Sequence, residues 1–274
     1  MDWGSIIESL FRGLIGESFI VFALAAIGLN LHFGYTGLLN FGQAVFMAAG
    51  AYGLAMMVAT IGPAANRNFG WDLSESTLFW LGIFVGVVVF PVVFALIMGI
   101  PTLRLRADYL AIVTIAVAEI FRIVVRSPTP SIKKWTNSSD GLTGFSGTFY
   151  DMSPFSTQDR YLFNLFTGNQ MFLVIVGWGV LAIGATICWL LVRSPWGRVL
   201  KAIREDEDAA RSLGKNAYSY KMQALILGGV FGAVGGMIRA IGFSVAQPDN
   251  FITDVTFFVW VALILGGAGK VLAP

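Results

Sequence analysis

Two ionisable residues interrupt the otherwise apolar run at residues 109–125. Glu119 and Arg122 are three residues apart, a spacing at which side chains on one helix face can form an ion pair. Counted from Asp108 at about 1.5 Å per residue, Glu119 would lie roughly 16 Å along a helix, near the middle of a bilayer. A structural pair facing the protein interior and a pair on a transport pathway are both open interpretations.

A second group of polar side chains lies in the glycine-rich stretch at residues 34–53, which contains Asn40 and Gln43. Broken, glycine-rich membrane segments expose backbone groups that can hold a zwitterion, whereas glycines can also simply allow close helix packing. We expect packing to explain most of these glycines, and we predict that Asn40 and Gln43 line a pathway. His32 is expected at a membrane–water interface rather than as a ligand.

The most charged part of the chain includes the stretch from Arg198 to Gly214. Arg204 precedes an acidic run at residues 205–208, and no proline interrupts the stretch. This pattern predicts a short helix that ends at Gly214. A solvated helix of mixed charge and a docking helix for a soluble partner both agree with the pattern.

The residues on which membrane enzymes depend are largely missing from the sequence. His32 is the only histidine and Cys188 the only cysteine, so the chain cannot form a histidine-rich or cysteine-rich metal site. Neither the nucleophile motif GxSxG nor the phosphate-binding motif GxxxxGKS/T occurs. The sequence therefore predicts no catalytic residue, no metal and no cofactor.

Composition indicates the elements that must position these residues. Of the 274 residues, 56% are hydrophobic and 12% are charged, against about 25% charged in average soluble domains. These values exclude soluble globular, disordered and collagen-like chains, and a net charge of +2 does not suggest nucleic-acid binding. We expect an all-α polytopic membrane protein, one domain over residues 1–274 with roughly six to eight spans, some broken. Helix packing is the expected role of Gly228, Gly232 and Gly236.

Basic residues predict which loops face the cytoplasm. Residues 193–221 carry seven lysines and arginines, whereas the longer segment 126–170 carries four. By the positive-inside rule, 193–221 is the cytoplasmic loop and 126–170 the external loop. Counting spans backwards places Arg104 and Arg106 in the cytoplasm, and it places the N-terminus outside if residues 33–61 cross once.

Five blocks of the sequence carry a resemblance to a known family. In chain order they are GYTGLLNFGQAVFMAAGAY (34–52), RLRADYLAIVTIAVAEIFRIVV (104–125), DGLTG (140–144), SPWGRVLKAIREDEDAARSLG (194–214) and LILGGAGKVLAP (263–274). Together they resemble the LivM-type permeases of branched-chain amino acid ABC importers, although Asp140 stands where that family usually has Asn. Within the fourth block, Glu207-x-Ala-Ala-x-x-x-Gly214 resembles the EAA loop that fits into a cleft of the ATPase subunit.

The resemblance implies a multi-pass permease of the bacterial inner membrane that moves Leu, Ile or Val. The implied partners are ABC ATPase subunits, a second homologous permease subunit, an external solute-binding protein and membrane lipid, with no nucleic acid. Coupling to the ATPase is the implied role of Arg198, Arg204, Glu207, Ala209, Ala210 and Gly214. A permease for urea or short-chain amides, a secondary transporter or channel without an ATPase, and an intramembrane enzyme remain alternatives.

Two departures from the family pattern lie near residue 274. The family usually continues into a further apolar helix, so the resemblance implies such a helix after Pro274. Lys270 and Val271 stand where the family usually has Ser and Leu.

Overall fold

The computed structural model describes residues 3–103, 107–162 and 165–270, most of them in helices. Within these residues, six helical segments are long and apolar enough to cross a membrane, which confirms the expected all-α membrane fold. A further 20-residue helix carries Glu119 and Arg122. Arg104, Arg106 and Val271, which the sequence interpretation used, lie outside the described residues. The six segments are Glu8–Tyr35, Gln43–Phe69, Glu75–Thr102, Gly168–Arg193, Ala217–Phe243 and Pro248–Gly266.

The helices and strands are numbered along the chain. The helices are α1 (Trp3–Ile15), α2 (Glu17–Leu29), α3 (Gln43–Met56), α4 (Gly62–Phe69), α5 (Glu75–Phe84), α6 (Phe90–Thr102), α7 (Ala107–Arg126), α8 (Pro130–Thr136), α9 (Gly147–Asp151), α10 (Gly168–Arg193), α11 (Pro195–Glu205), α12 (Glu207–Ser212), α13 (Ala217–Phe243) and α14 (Thr253–Gly266). The two-residue strands are β1 (Leu142–Thr143), β2 (Arg160–Tyr161), β3 (Phe166–Thr167) and β4 (Val245–Ala246), and they form the antiparallel pairs β1–β4 and β2–β3.

Three spans contain a π-helical turn, a wider turn that often marks functional sites. Asn30–Tyr35 ends the α2 span, Met57–Ile61 joins α3 to α4, and Val85–Val89 joins α5 to α6. The chain is non-helical at residues 37–42 and becomes helical again at Gln43. Residues 33–61 therefore do not form one helix: they comprise the end of the first span, a connection, and α3 with its π turn.

Helix α13 lies at the centre of the bundle and packs against α2 and α3 at backbone distance. A Cβ atom added to Gly236 would lie 1.9 Å from the carbonyl oxygen of Met47, and one added to Gly50 would lie 1.9 Å from that of Ala233. Such a separation is far inside van der Waals contact, so only glycine fits. The predicted packing role of Gly236 is therefore confirmed.

The two polar segments lie at opposite ends of the bundle. At one end, which we call the α11–α12 end, Asn30 Nδ2 donates to the carbonyl of Lys270 at 2.7 Å, and Arg204 donates to the carbonyl of Gly34. At the other, the α8–α9 end, β1 pairs with β4 and the Tyr150 hydroxyl donates to the Ile241 carbonyl at 2.9 Å. This separation agrees with loops on two sides of a membrane, and the bias in basic residues predicts that the α11–α12 end is the cytoplasmic one.

We expect an impermeant thiol reagent, added outside intact cells, to label a cysteine at the α8–α9 end only. Ser139 and Ser212 are exposed at the two ends, whereas Cys188 is buried and is removed as Cys188→Ala. Ser139→Cys should therefore be labelled in cells, and Ser212→Cys only after permeabilisation. Labelling of Ser212→Cys alone in intact cells would show that the topology is the reverse of the predicted one.

A second prediction concerns the contact between α13 and α3. Gly236→Ala should lower the free energy of unfolding by about 1–3 kcal/mol, because the added methyl group forces the two backbones apart. The matched control is Gly179→Ala on α10, where nothing lies within 4 Å of the added Cβ. Thermal unfolding in detergent measures both variants, and an equal melting temperature for the two would contradict the close packing at Gly236.

Candidate functional site

The charged segment forms two helices rather than the single one that the sequence predicted. Asp206 has an extended backbone (φ −153°, ψ 106°), which ends α11 at Glu205. Its Oδ1 accepts a hydrogen bond from the backbone N–H of Ala209 at 2.9 Å and so caps the start of α12. The single-helix prediction is wrong because Asp206 lies within the acidic run 205–208 and acts there as a helix cap rather than as one more charge on a helix surface.

Helix α12 ends in a Schellman motif at Gly214, which has the left-handed φ of +76°. The N–H of Gly214 donates to the carbonyl of Arg211 at 2.9 Å, and the N–H of Lys215 donates to that of Ala210 at 3.2 Å. The structure therefore has the helix stop that the sequence predicted at Gly214. Leu213, immediately before it, is 80% exposed and gives this tip a large apolar side chain.

Glu207 fastens α12 to the bundle. One carboxylate oxygen pairs with Arg211 Nη2 at 2.6 Å, and the other accepts a hydrogen bond from Lys221 Nζ on α13. The Lys221 side chain is only 14% exposed, so this link is shielded from solvent more than a typical surface pair. In this chain Glu207 is therefore directed towards α13.

The two alanines of the predicted docking pattern face opposite ways. Ala210 is buried and packs with Ile203 of α11 and Ala217 of α13. Ala209 is exposed, as is Arg198 on α11. Of the two alanines, only Ala209 is accessible to a partner in this conformation.

Arg204 joins the α11–α12 unit to the end of the first span. Its guanidinium donates a hydrogen bond to the carbonyl of Gly34, near the end of the π turn Asn30–Tyr35. Carbonyls at a helix end have no N–H partner within the helix, so Arg204 supplies one. Gly37 (φ +72°) and Gly269 (φ +87°) lie beside the same side chain. From α11, Arg204 therefore contacts three other parts of the chain: the end of the first span, the start of the 37–42 connection, and the segment after α14.

Asn40 and Gln43 belong to a closed polar network with His32, and all three side chains are 0% exposed. Asn40 Nδ2 is 3.0 Å from His32 Nδ1 and 3.3 Å from Gln43 Oε1. His32 Nε2 is 3.1 Å from the carbonyl of Leu225, and Gln43 Nε2 donates to the carbonyls of Ala25 and Gly228 at 3.3 Å. His32 is thus a core residue and not an interfacial one, and no periodic pattern around it predicts this burial.

Glu119 and Arg122 form the expected ion pair, with 2.5 Å between Glu119 Oε1 and Arg122 Nη2. The pair lies closer to one end of the bundle than predicted, because Arg122 and Arg126 also reach Asp249 in the Pro248–Phe251 turn, at 3.3 and 3.4 Å. The Glu119 side chain is 37% exposed, so the pair is half-buried rather than enclosed. Asp249 lies more than 120 residues away in the chain, so no local spacing predicts its contact with Arg122 or Arg126.

Two further features of the described residues concern possible ligand sites. No group of three His, Cys, Asp or Glu that could hold a metal occurs in the part of the chain that the structure describes. A cavity of about 510 Å³ between α5, α10 and α13 has an entirely apolar lining, which includes Phe79, Phe172 and Met237. Such a lining offers nothing that could orient a zwitterion.

Comparison with known proteins identifies the family. The family described as "Branched-chain amino acid transport system / permease component" matches residues 14–274. The chain is 30% identical to the "High-affinity branched-chain amino acid transport system permease protein LivM" of Salmonella typhimurium, over 93% of this chain and 58% of that protein. It shows the same identity and coverage with the protein of that name from Escherichia coli.

A third relative, the "Probable branched-chain amino acid transport permease protein LivM" of Methanocaldococcus jannaschii, is 24% identical over 92% of this chain and 74% of its own length. No solved structure matches the chain. The chain spans somewhat more than half the length of the two bacterial relatives. Because the family match covers nearly all of the sequence, the chain belongs to the family of permease components of branched-chain amino acid transport systems.

Proposed function

We propose that the chain is a permease subunit of an ATP-driven importer that carries branched-chain amino acids across the bacterial inner membrane. The names of the three relatives support the substrate class. The structural observation that carries the proposal is the α11–α12 unit, which is exposed on one side and attached to the bundle on the other. ATP hydrolysis would take place on a separate ATPase subunit, and this chain would not itself be catalytic.

The exposed side of α11–α12 suits a soluble partner. Arg198, Ala209 and Leu213 are all exposed, and they combine a positive charge, a small residue and a large apolar side chain. Buried apolar anchors surrounded by polar contacts are the usual pattern of a stable interface. We assign the ATPase to this surface.

The attached side gives two routes by which ATPase movement could reach the bundle. Glu207 forms an ion pair with Lys221 near the start of α13, the central helix. Arg204 donates a hydrogen bond to the carbonyl of Gly34 at the end of the first span. A displacement of α11–α12 would therefore act on two spans that pack against each other, and rigid helices would carry it towards the α8–α9 end.

The other proposed partners and pathway residues follow from the same arrangement. The α8–α9 end would meet the solute-binding protein, and the exposed lipid-level faces would meet the second permease and lipid. We propose Glu119 and Arg122 as pathway residues. Asn40 and Gln43 would contribute to the pathway indirectly. In this conformation their side chains form hydrogen bonds within the chain and hold the shape of the 37–42 connection.

Gly214→Val should uncouple the transporter, because a β-branched residue at φ +76° costs about 1–2 kcal/mol or more and would unwind the end of α12. Gly214→Asn is the matched control, since asparagine tolerates the left-handed conformation. ATPase copurification and leucine uptake should fall for Gly214→Val and persist for Gly214→Asn. Normal uptake by both variants would show that α11–α12 is only a solvated linker.

Arg204→Ala should leave the ATPase bound but lower the amount of leucine imported per ATP hydrolysed, because the link to Gly34 is lost. Lys215→Ala removes a nearby exposed cation but keeps the backbone N–H that Lys215 contributes to the Schellman motif, and it serves as the control. Both quantities are measured in proteoliposomes that contain the assembled transporter. Leucine import without any ATPase would instead support the secondary-transporter alternative, and an unchanged import-to-ATP ratio in Arg204→Ala would exclude the route through Gly34.

A further inference from the structure

A narrow seam runs between α3, α7 and the Pro248–Phe251 turn. Most of its walls are aliphatic or aromatic, and its two polar side chains are Tyr52 and Arg122. It leaves no room for a water molecule in this conformation. The walls are formed by Ala44, Val45, Ala48, Ala118, Phe121, Val125, Pro248 and Phe251.

Tyr52 is the unusual member of this seam. Its side chain is 1% exposed, and its hydroxyl has no hydrogen-bond partner among residues 3–103, 107–162 and 165–270. Buried hydroxyl groups are nearly always paired, because an unpaired one loses its bonds to water without replacement. Phenylalanine would fill the same space against Phe121 without this cost. An unpaired hydroxyl in a seam between helices indicates a partner that binds there in another state.

Charged groups of both signs surround the Arg122 side of the seam. Arg122 pairs tightly with Glu119 through Nε at 3.1 Å from both carboxylate oxygens and through Nη2 at 2.5 Å. Its contact with Asp249 is longer, at 3.3 Å, and so is that of Arg126 with Asp249, at 3.4 Å. Two acids and two bases make the group neutral. The bonds to Asp249 are the weaker ones, because Asp249 is half exposed and its contacts are long.

We propose that this seam, opened by movement of the Pro248–Phe251 turn away from α7, is the site where the permease holds its amino-acid substrate. Arg122 binds the substrate carboxylate with the Tyr52 hydroxyl as a second donor, and Asp249 and Glu119 bind the ammonium group. The aliphatic side chain occupies the space between Ala48 and Ala118. This inference rests on the proposed function and names the site within it.

Charge balance and wall chemistry support this assignment. A zwitterion has no net charge, so it can exchange partners with a neutral group of two acids and two bases without leaving an unpaired charge in the partly buried seam. An aliphatic side chain gains from entering apolar walls, whereas a polar one would lose its hydration there. The geometry therefore favours zwitterions with branched aliphatic side chains over urea, which has neither charge nor an apolar part.

The direct test is Tyr52→Phe in the transporter assembled with its ATPase in nanodiscs, without the solute-binding protein. The Kd for labelled leucine, measured by scintillation proximity, should rise about tenfold because a hydrogen bond to a carboxylate is lost. The melting temperature should not fall, because the hydroxyl has no partner in the chain. In the control Tyr150→Phe, the hydroxyl bonded to Ile241 is lost, so the melting temperature should fall while the Kd stays unchanged.

A second variant tests the walls. Ala118→Val narrows the seam and should weaken leucine binding about tenfold more than valine binding. Ala116→Val, on the exposed face of the same helix, should leave the ratio unchanged. If the wild-type transporter imports branched-chain amino acids but Tyr52→Phe and Ala118→Val bind them like the wild type, the site is wrong and the proposed function stands. If the wild type neither binds nor imports them, both proposals are overturned.

Discussion

The structure depends on the hydrogen bonds that satisfy the polar backbone groups of residues 37–42, a non-helical connection inside a membrane bundle. Lipid offers no hydrogen bonds, so irregular backbone at that depth is stable only where the protein satisfies it. The N–H of Phe41 donates to Thr114 of α7 at 3.0 Å, and the N–H of Gly42 donates to the Asn40 side chain at 2.8 Å. Trp260 of α14 donates its indole N–H to the carbonyl of Asn40 at 3.0 Å. The connection thereby draws two distant helices together.

The same pairing links the connection to the α11–α12 end. Asn30 uses both atoms of its amide on the segment after α14, since Oδ1 accepts from the Gly269 N–H at 2.8 Å and Nδ2 donates to the Lys270 carbonyl. Arg204 occupies the neighbouring carbonyl of Gly34. The end of the first span, the segment after α14 and α11 therefore meet through side chains that bond to backbone, which is a directional and stiff form of contact.

Local patterns in the sequence predicted the features that local physics determines. Apolar run lengths predicted the membrane fold, i to i+3 spacing predicted the Glu119–Arg122 pair, and the glycine pattern predicted close packing at Gly236. Features that depend on distant residues were not predictable in this way. The burial of His32 depends on Leu225 of α13, and the position of Arg122 depends on Asp249. The break at Asp206 was accessible locally, since an aspartate that precedes a short helical stretch is a preferred cap.

The two ends of the bundle differ in the kind of bonds that close them, and this difference suggests where movement is easiest. Near the α11–α12 end, Asn30 and Asn40 are at most 1% exposed and make bonds of 2.7 and 3.0 Å, so separation of these bonds would leave buried polar groups unpaired. At the α8–α9 end, the turn that carries Asp249 is held to α7 partly by long, half-exposed ion pairs, which water can replace at little cost. Opening of the seam at the α8–α9 end, while the connection at residues 37–42 stays intact, therefore requires less free energy than the reverse. In a transporter with this arrangement, a driving force applied through α11–α12 would be needed mainly to open the α11–α12 end, which has the stronger bonds.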